Sequence, residues 1–123
     1  AEVLGVTYFT LAADEIDAIR ESDPGGMAHG GEYETSLMLS LRPDLVVETA
    51  IGEGTPLDEA YEWGGQDLLD GGELAVYRPF SAYSETGAIG APELATARKG
   101  QQIYDAVTTE LGALITAIHE HTR

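Results

Sequence analysis

His29 is the residue in this chain best suited to proton chemistry. It stands between two glycine pairs, Gly25-Gly26 and Gly30-Gly31, just ahead of the run Glu32 to Leu41. A loop that opens into a helix displays side chains toward a cleft, and paired glycines let backbone approach a bound molecule closely. Imidazole titrates near neutral pH, so a histidine there can pass a proton to or from a reacting group. The competing reading is a loop histidine that meets only water. Glu32 and Glu34 follow. His29 with Glu32 makes an i, i+3 pair, but a working metal site draws on about three protein ligands, and acids are scattered throughout the sequence. His119 and His121 sit at the far end of the chain, where a solvated tail accounts for them. No metal site is expected from this chain alone.

Other chemical signatures are weak. There is no GxxxxGK[ST] phosphate loop and no GxSxG nucleophile elbow. Gly87-Ala88-Ile89-Gly90 is too short to define a nucleotide site. Ser36 and Ser40 lie on an apolar helix pattern and are expected to make local hydrogen bonds. Met38 is read as packing, and so is Trp63 in its acidic loop. With no cysteine in the chain, thiol nucleophiles, thiolate metal sites and disulfides are all excluded. That is compatible with a reducing cytoplasm, the expected location.

The elements that must position His29 follow from patterning. Val3 to Phe9 is apolar and rich in β-formers, which predicts a strand buried on both faces of a parallel sheet. Thr10 can cap a short helix with Asp14 and Glu15 in its first turns and Leu11, Ile16 and Ile19 on one side. Ser22 to Gly26 ends it. Glu32 to Leu41 reads as a helix stopped by Pro43, with Tyr33, Leu37 and Leu41 facing the core. Val47 to Gly72 reads as loop with a helical turn around Leu57 to Trp63, Glu73 to Phe80 as a second strand, and Ser81 to Gly90 as loop. Pro92 marks the start of the last helix. Its stripe of Ile103, Val107, Leu111, Leu114 and Ile118 predicts an amphipathic face packed on a sheet.

The charge balance constrains partners. Six Lys and Arg face 22 Asp and Glu in 123 residues, a formal net charge of -16. Such a surface repels phosphate backbones and anionic membranes, so neither nucleic acid nor membrane is expected as a partner. It also fits a salt-loving source, where dense counterions screen self-repulsion. No stretch reaches the ~18 apolar residues of a membrane span, and no charged-then-apolar signal peptide is expected from the opening residues.

Two strings go further. His29 to Val46 (HGGEYETSLMLSLRPDLV) resembles the creatininase (creatinine amidohydrolase) family, whose pattern is a His, small residues, an acid before Thr-Ser, Leu-Met-Leu and a Pro-Asp-Leu-Val ending. Gly87 to Gly100 (GAIGAPELATARKG), ahead of the long terminal helix, is similar to the family's C-terminal Gly-x-x-Gly-x-Pro, Ala-Thr and Lys-Gly pattern. The resemblance covers nearly the whole chain and is weakest between Val47 and Glu73. It implies a three-layer α/β/α fold with a mainly parallel sheet, of which residues 1–123 form the C-terminal portion of a single domain.

The resemblance also implies a two-metal hydrolase, with zinc or manganese, acting on a non-peptide C–N bond of a small cyclic, creatinine-like amide. His29 matches the family's catalytic histidine, and Glu34 its acid before Thr-Ser in a supporting role, with Gly30 and Gly31 beside them. Creatininases proper carry tryptophans that close over creatinine near the positions of Phe9 and Gly25. On that basis Phe9 and its neighbour Tyr8 are expected at the substrate. Family members are longer, and their metal ligands lie in an N-terminal half, in Glu-x-His and His-x-Glu motifs absent here. The chain is therefore expected to bind no metal alone, to be inactive alone, and to associate with that N-terminal half or with itself as a homo-oligomer. The family resemblance also admits a formamide hydrolase of flavin and deazaflavin biosynthesis, and a peptidase that matures a redox-cofactor precursor. A non-catalytic subunit or remnant that binds a partner chain is the rival from another class. With only six basic residues, a neutral substrate is favoured over a phosphorylated one.

Overall fold

The structure, a computed structural model, describes residues 3–55, 65, 67–74 and 77–121. The turn expected around Leu57 to Trp63 lies outside those residues, as do Ala75 and Val76 of the second expected strand. Four helices form among the described residues: α1 (Tyr8–Leu11), α2 (Ala13–Ile19), α3 (Glu32–Leu41) and α4 (Ala97–His121).

Local chemistry sets their ends. Asp14 and Glu15 occupy the first turn of α2, where the helix dipole favours acids. Beyond α3, Pro43 cannot continue the helix and instead opens a 3-10 turn, Pro43–Leu45. Pro92 does the same in Pro92–Leu94. The last α-helix therefore starts later than Pro92, at Ala97. There the Thr96 hydroxyl accepts the Lys99 N–H at 3.1 Å, an N-cap bond.

The core gathers Ala12 and Ile16 from the α1–α2 segment, Met27 from the loop, Tyr33 from α3, and Ile103 and Val107 from α4. Phe9, Ile19, Leu37, Leu68, Leu69 and Ala106 pack around it. Ile16, Met27 and Ile103 are fully buried, which contributes about 1.5–3 kcal/mol apiece. Helix α4 lies chiefly against α3 and also touches α1 and α2. The approach is close at Gly100, where any Cβ would collide with the Ser36 carbonyl. Across the same contact the Ser36 hydroxyl accepts the Thr96 N–H at 3.1 Å.

The expected three-layer α/β/α architecture is not found: the described residues form no sheet. Extended pairing is confined to single bridges, with Thr55 meeting Ile89 in the parallel sense. A strand needs a neighbour to satisfy its backbone groups, and no strand lies beside Val3 to Thr7 among the described residues. Val3 is 91% exposed and Leu4 69%. Thr7 becomes the N-cap of α1, so Tyr8 and Phe9 are helical rather than extended. The α4 stripe, expected on a sheet, instead lies on α3. Its first half, Ile103 and Val107, is buried, while Leu111, Leu114 and Ile118 are half-covered. Among the described residues no helix is long and apolar enough to cross a membrane.

Candidate active site

His29 stands exposed at the end of the turn that leads into α3. Its backbone is held by a segment distant in sequence: the Ile89 N–H donates to the His29 carbonyl at 2.7 Å. Just upstream, the Gly26 carbonyl accepts two N–H groups, from Glu32 at 3.0 Å and from Ala91 at 2.9 Å. Gly31 sits where these segments meet. A Cβ there would strike the Gly26 carbonyl oxygen and lie 3.0 Å from that of Ile89. Its lack of a side chain thus serves loop-on-loop packing. Gly30 has a φ of +62°, and its N–H donates to Glu34 Oε2 at 2.6 Å. Its carbonyl accepts the Thr35 hydroxyl at 2.9 Å. Glu34, in the first turn of α3, thereby reaches back over the helix start to Gly30, the residue before the N-cap Gly31. The structure places Glu34, Gly30 and Gly31 around the His29 backbone.

Two ion pairs, one buried and one half-buried, fix the flanks of this loop. Glu32 and Lys99 are both buried, with Lys99 Nζ 2.6 Å from Glu32 Oε1. Glu32 also accepts the N–H groups of Glu21 and Ser22, each at 2.9 Å. Lys99 donates to the Leu94 carbonyl at 2.6 Å and approaches Glu21 at 3.3 Å. Burial works to raise the Glu32 carboxyl, but the bonds from Lys99 and these backbone donors outweigh it and hold it below the usual range. On the other flank, Asp67 accepts Arg20 at 2.6 Å, the Gly25 N–H at 2.9 Å and the Leu69 N–H at 3.0 Å. There too burial pulls upward, and the Gly25, Arg20 and Leu69 donors hold the carboxyl low. Arg20 further grips the Ser22 and Asp23 carbonyls at 3.0 and 2.9 Å.

The aromatic side chains divide into two groups. The His29 imidazole meets the Phe80 ring edge to face, with centroids 5.0 Å apart and planes at 76°. Tyr8 and Phe9, expected at the substrate, both pack against Tyr33, with centroids 6.5 and 6.3 Å away, and meet each other edge to face at 5.5 Å. Phe9 packs against the core, while Tyr8 keeps part of its surface in solvent. Burial, and then Tyr8, push the Tyr33 phenol well above its usual range, so it stays protonated. Next to Gly30 and Glu34 an open apolar groove of about 400 Å³ is lined by Thr35, Met38, Leu45 and Ile51 among others. Met38, read from the sequence as packing, borders this groove.

The donors present do not fit a metal pair. Among the described residues no three His, Asp or Glu side chains converge as a cation would need. Glu32 is committed to Lys99, and Glu34 to Gly30. What the arrangement offers is one exposed imidazole on a braced loop, beside an aromatic ring. Sequence reasoning missed Phe80, Arg20, Lys99 and Asp67. The two cations carried a signal in their scarcity, since a chain with six basic residues that buries one must pair it. Asp67 is one acid among 22 and carried none.

An exposed histidine on a glycine loop, fixed at its backbone by a second glycine loop, defines a candidate proton-transfer site on a helical scaffold. The creatininase family model, described as creatinine amidohydrolase, matches residues 1–115. The chain belongs to the creatininase family. It is 36% identical over 85 residues to a mycofactocin precursor peptide peptidase of Mycolicibacterium smegmatis, covering 68% of this chain and 30% of that protein. The peptidase of the same name from Mycobacterium tuberculosis is 36% identical over 89 residues, covering 71% of this chain and 31% of its own. The one from Mycobacterium ulcerans is 35% identical over 82 residues, covering 65% and 28%. The chain thus spans about a third of the length of the curated relatives it matches. No solved structure matches.

Proposed function

We propose that this chain supplies the proton-transfer half of an amidohydrolase that cleaves a C–N amide bond. The observation that carries this reading is His29, exposed on a loop whose backbone is pinned by Ile89, Glu34 and the Glu32–Lys99 pair. Membership of the creatininase family supports it. In the reaction, the oxygen of a water molecule adds to the amide carbonyl and the C–N bond breaks. His29 carries a proton to the departing nitrogen, which would otherwise leave as a poor amide anion. The brace matters because a general acid must be held within hydrogen-bond reach of its target.

Any metal ions that activate the water and hold the carbonyl would be bound by residues other than those described here. The small cyclic amide expected from the resemblance and a peptide-derived amide both present a planar C–N group to the imidazole. The peptidase relatives favour the peptide-derived amide as the first substrate to assay. The acidic chain favours a neutral substrate over a phosphorylated one. The reading of a non-catalytic partner-binding subunit predicts that His29 is dispensable.

The test is the His29→Ala variant in the gene product that carries this chain, assayed on creatinine, formamides and short peptides. We expect kcat to fall by ~10²-fold or more with metal content unchanged. Unchanged turnover would remove His29 from the chemistry, and loss of metal would make it a ligand instead.

A further inference from the structure

We propose that Phe80 is a specificity-determining residue: its ring forms an apolar wall beside the His29 imidazole and selects amides that carry a flat or apolar group next to the scissile bond. The inference rests on the amidohydrolase reading and adds the side of the site that sequence reasoning left blank.

The chain has two phenylalanines. Phe9 packs into the core cluster. Phe80 is 47% exposed and lies on the imidazole of the candidate acid. A half-exposed ring costs little by itself, so exposure alone decides nothing. Its placement does. Phe80 opens a 3-10 turn, Phe80–Ala82, in which its own carbonyl accepts the Tyr83 and Ser84 N–H groups at 2.9 and 3.1 Å. The Ser84 hydroxyl then donates to the Ala88 carbonyl at 2.7 Å and accepts the Gly87 N–H at 3.0 Å. One residue on, the Ile89 N–H binds the His29 carbonyl. The turn that presents the ring is therefore the turn that anchors the histidine backbone. Ring and imidazole are positioned by one short hydrogen-bonded segment and keep a fixed relation.

That relation has a chemical consequence. An amide nitrogen that receives a proton from His29 must sit at the imidazole edge. Groups attached to that amide then lie within reach of the exposed remainder of the Phe80 ring. A planar or apolar group gains contact there, by ring stacking or by burial. A small hydrophilic amide gains nothing, and a charged group beside the bond would be desolvated against the ring without a partner.

The test compares wild type, Phe80→Ala, Phe80→Leu and Phe80→Tyr in the gene product that carries this chain. The substrates are amides of one scaffold that differ only in the group beside the scissile bond: hydrogen, methyl, isobutyl and benzyl. Phe80→Ala should raise KM for the benzyl and isobutyl amides by about 10-fold or more relative to the hydrogen amide, the scale of a lost apolar contact. kcat on the smallest amide should change far less. Phe80→Tyr should restore the selectivity, and Phe80→Leu, should Phe80→Ala fold poorly, should keep the isobutyl preference and lose the benzyl one. A uniform change across the series, with all KM ratios intact, would reduce Phe80 to a packing residue and overturn the proposal.

Nuclear magnetic resonance separates this from failure of the parent reading. In wild type the His29 ring protons should carry a ring-current shift that Phe80→Ala removes. Where wild type hydrolyses no amide in the series, the amidohydrolase reading falls. The wall is then judged by titration with the benzyl amide. Joint shifts of the His29 and Phe80 resonances support it, and their absence overturns it.

Discussion

Lys99 and Glu32 lie 67 positions apart and meet at 2.6 Å inside the protein. Burying two charges costs several kcal/mol each, and the cost is offset only when geometry and extra hydrogen bonds are good. Glu32 meets that condition with three donors, and Lys99 with the Leu94 carbonyl. The pair leaves a signature in acid. Both Glu32 and Asp67 have folded-state carboxyls held below the unfolded value. Their contribution to stability is therefore full above the unfolded carboxylate pKa, about 4, and is lost as pH falls through the lower folded value. The many surface acids work the other way, because protonating them relieves repulsion. Comparison with Glu32→Gln isolates the buried group. We expect the variant to be less stable than wild type in urea at pH 7, with the gap closing between about pH 5 and pH 3. A gap that stays constant over that interval would show that folding does not lower the Glu32 pKa.

The contact between α3 and α4 makes a test of helix packing. In an isolated helix, alanine is favoured over glycine by about 1 kcal/mol. At Gly100 the sign should reverse, because the added Cβ meets the Ser36 backbone rather than a side chain that can rotate away. Gly100→Ala is expected to destabilise by about 1–3 kcal/mol, read as a lower urea midpoint with unchanged slope. A stabilised variant would mean that the helices sit farther apart than described.

These two helices were also the legible part of the fold. Tyr33 and Leu37 on α3, and Ile103 and Val107 on α4, repeat at helical spacing, and Pro43 ends α3. The Val3 to Phe9 run was misleading for a physical reason. Its β-forming residues describe a surface that fits a sheet, but a strand exists only through its neighbours, and none lies alongside it among the described residues. The site divides in the same way. His29 and its glycines announce themselves locally, whereas Arg20–Asp67 and Glu32–Lys99 pair residues 47 and 67 positions apart, and no local pattern reports such a distance. Phe80 was read only as the end of a strand, because nothing in its neighbourhood points to His29.

At the scale of the whole molecule, the net charge of -16 dominates. Its few cations are partly consumed inside: Lys99 is buried and Arg20 is largely spent on Asp67 and loop carbonyls. The surface is thus more uniformly negative than composition alone implies. Self-repulsion reaches across roughly 10 Å at 0.1 M salt and only about 3 Å at 1 M. Helical circular dichroism should therefore weaken on dialysis from molar salt into dilute buffer and return when salt is restored. A spectrum indifferent to desalting would exclude a salt-adapted origin.

The Gly26 carbonyl, which accepts both the Glu32 and the Ala91 N–H groups, ties two distant stretches of chain to one atom. Deuterium from solvent can replace either amide proton only when that carbonyl is released. The two amides should therefore exchange with closely matched protection and respond together to temperature and denaturant. Turning the carbonyl aside would also loosen the turn that carries Ile89, and with it the grip on His29. In this protein the slow clock of amide exchange at Ala91 would count the openings of a loop some sixty residues upstream.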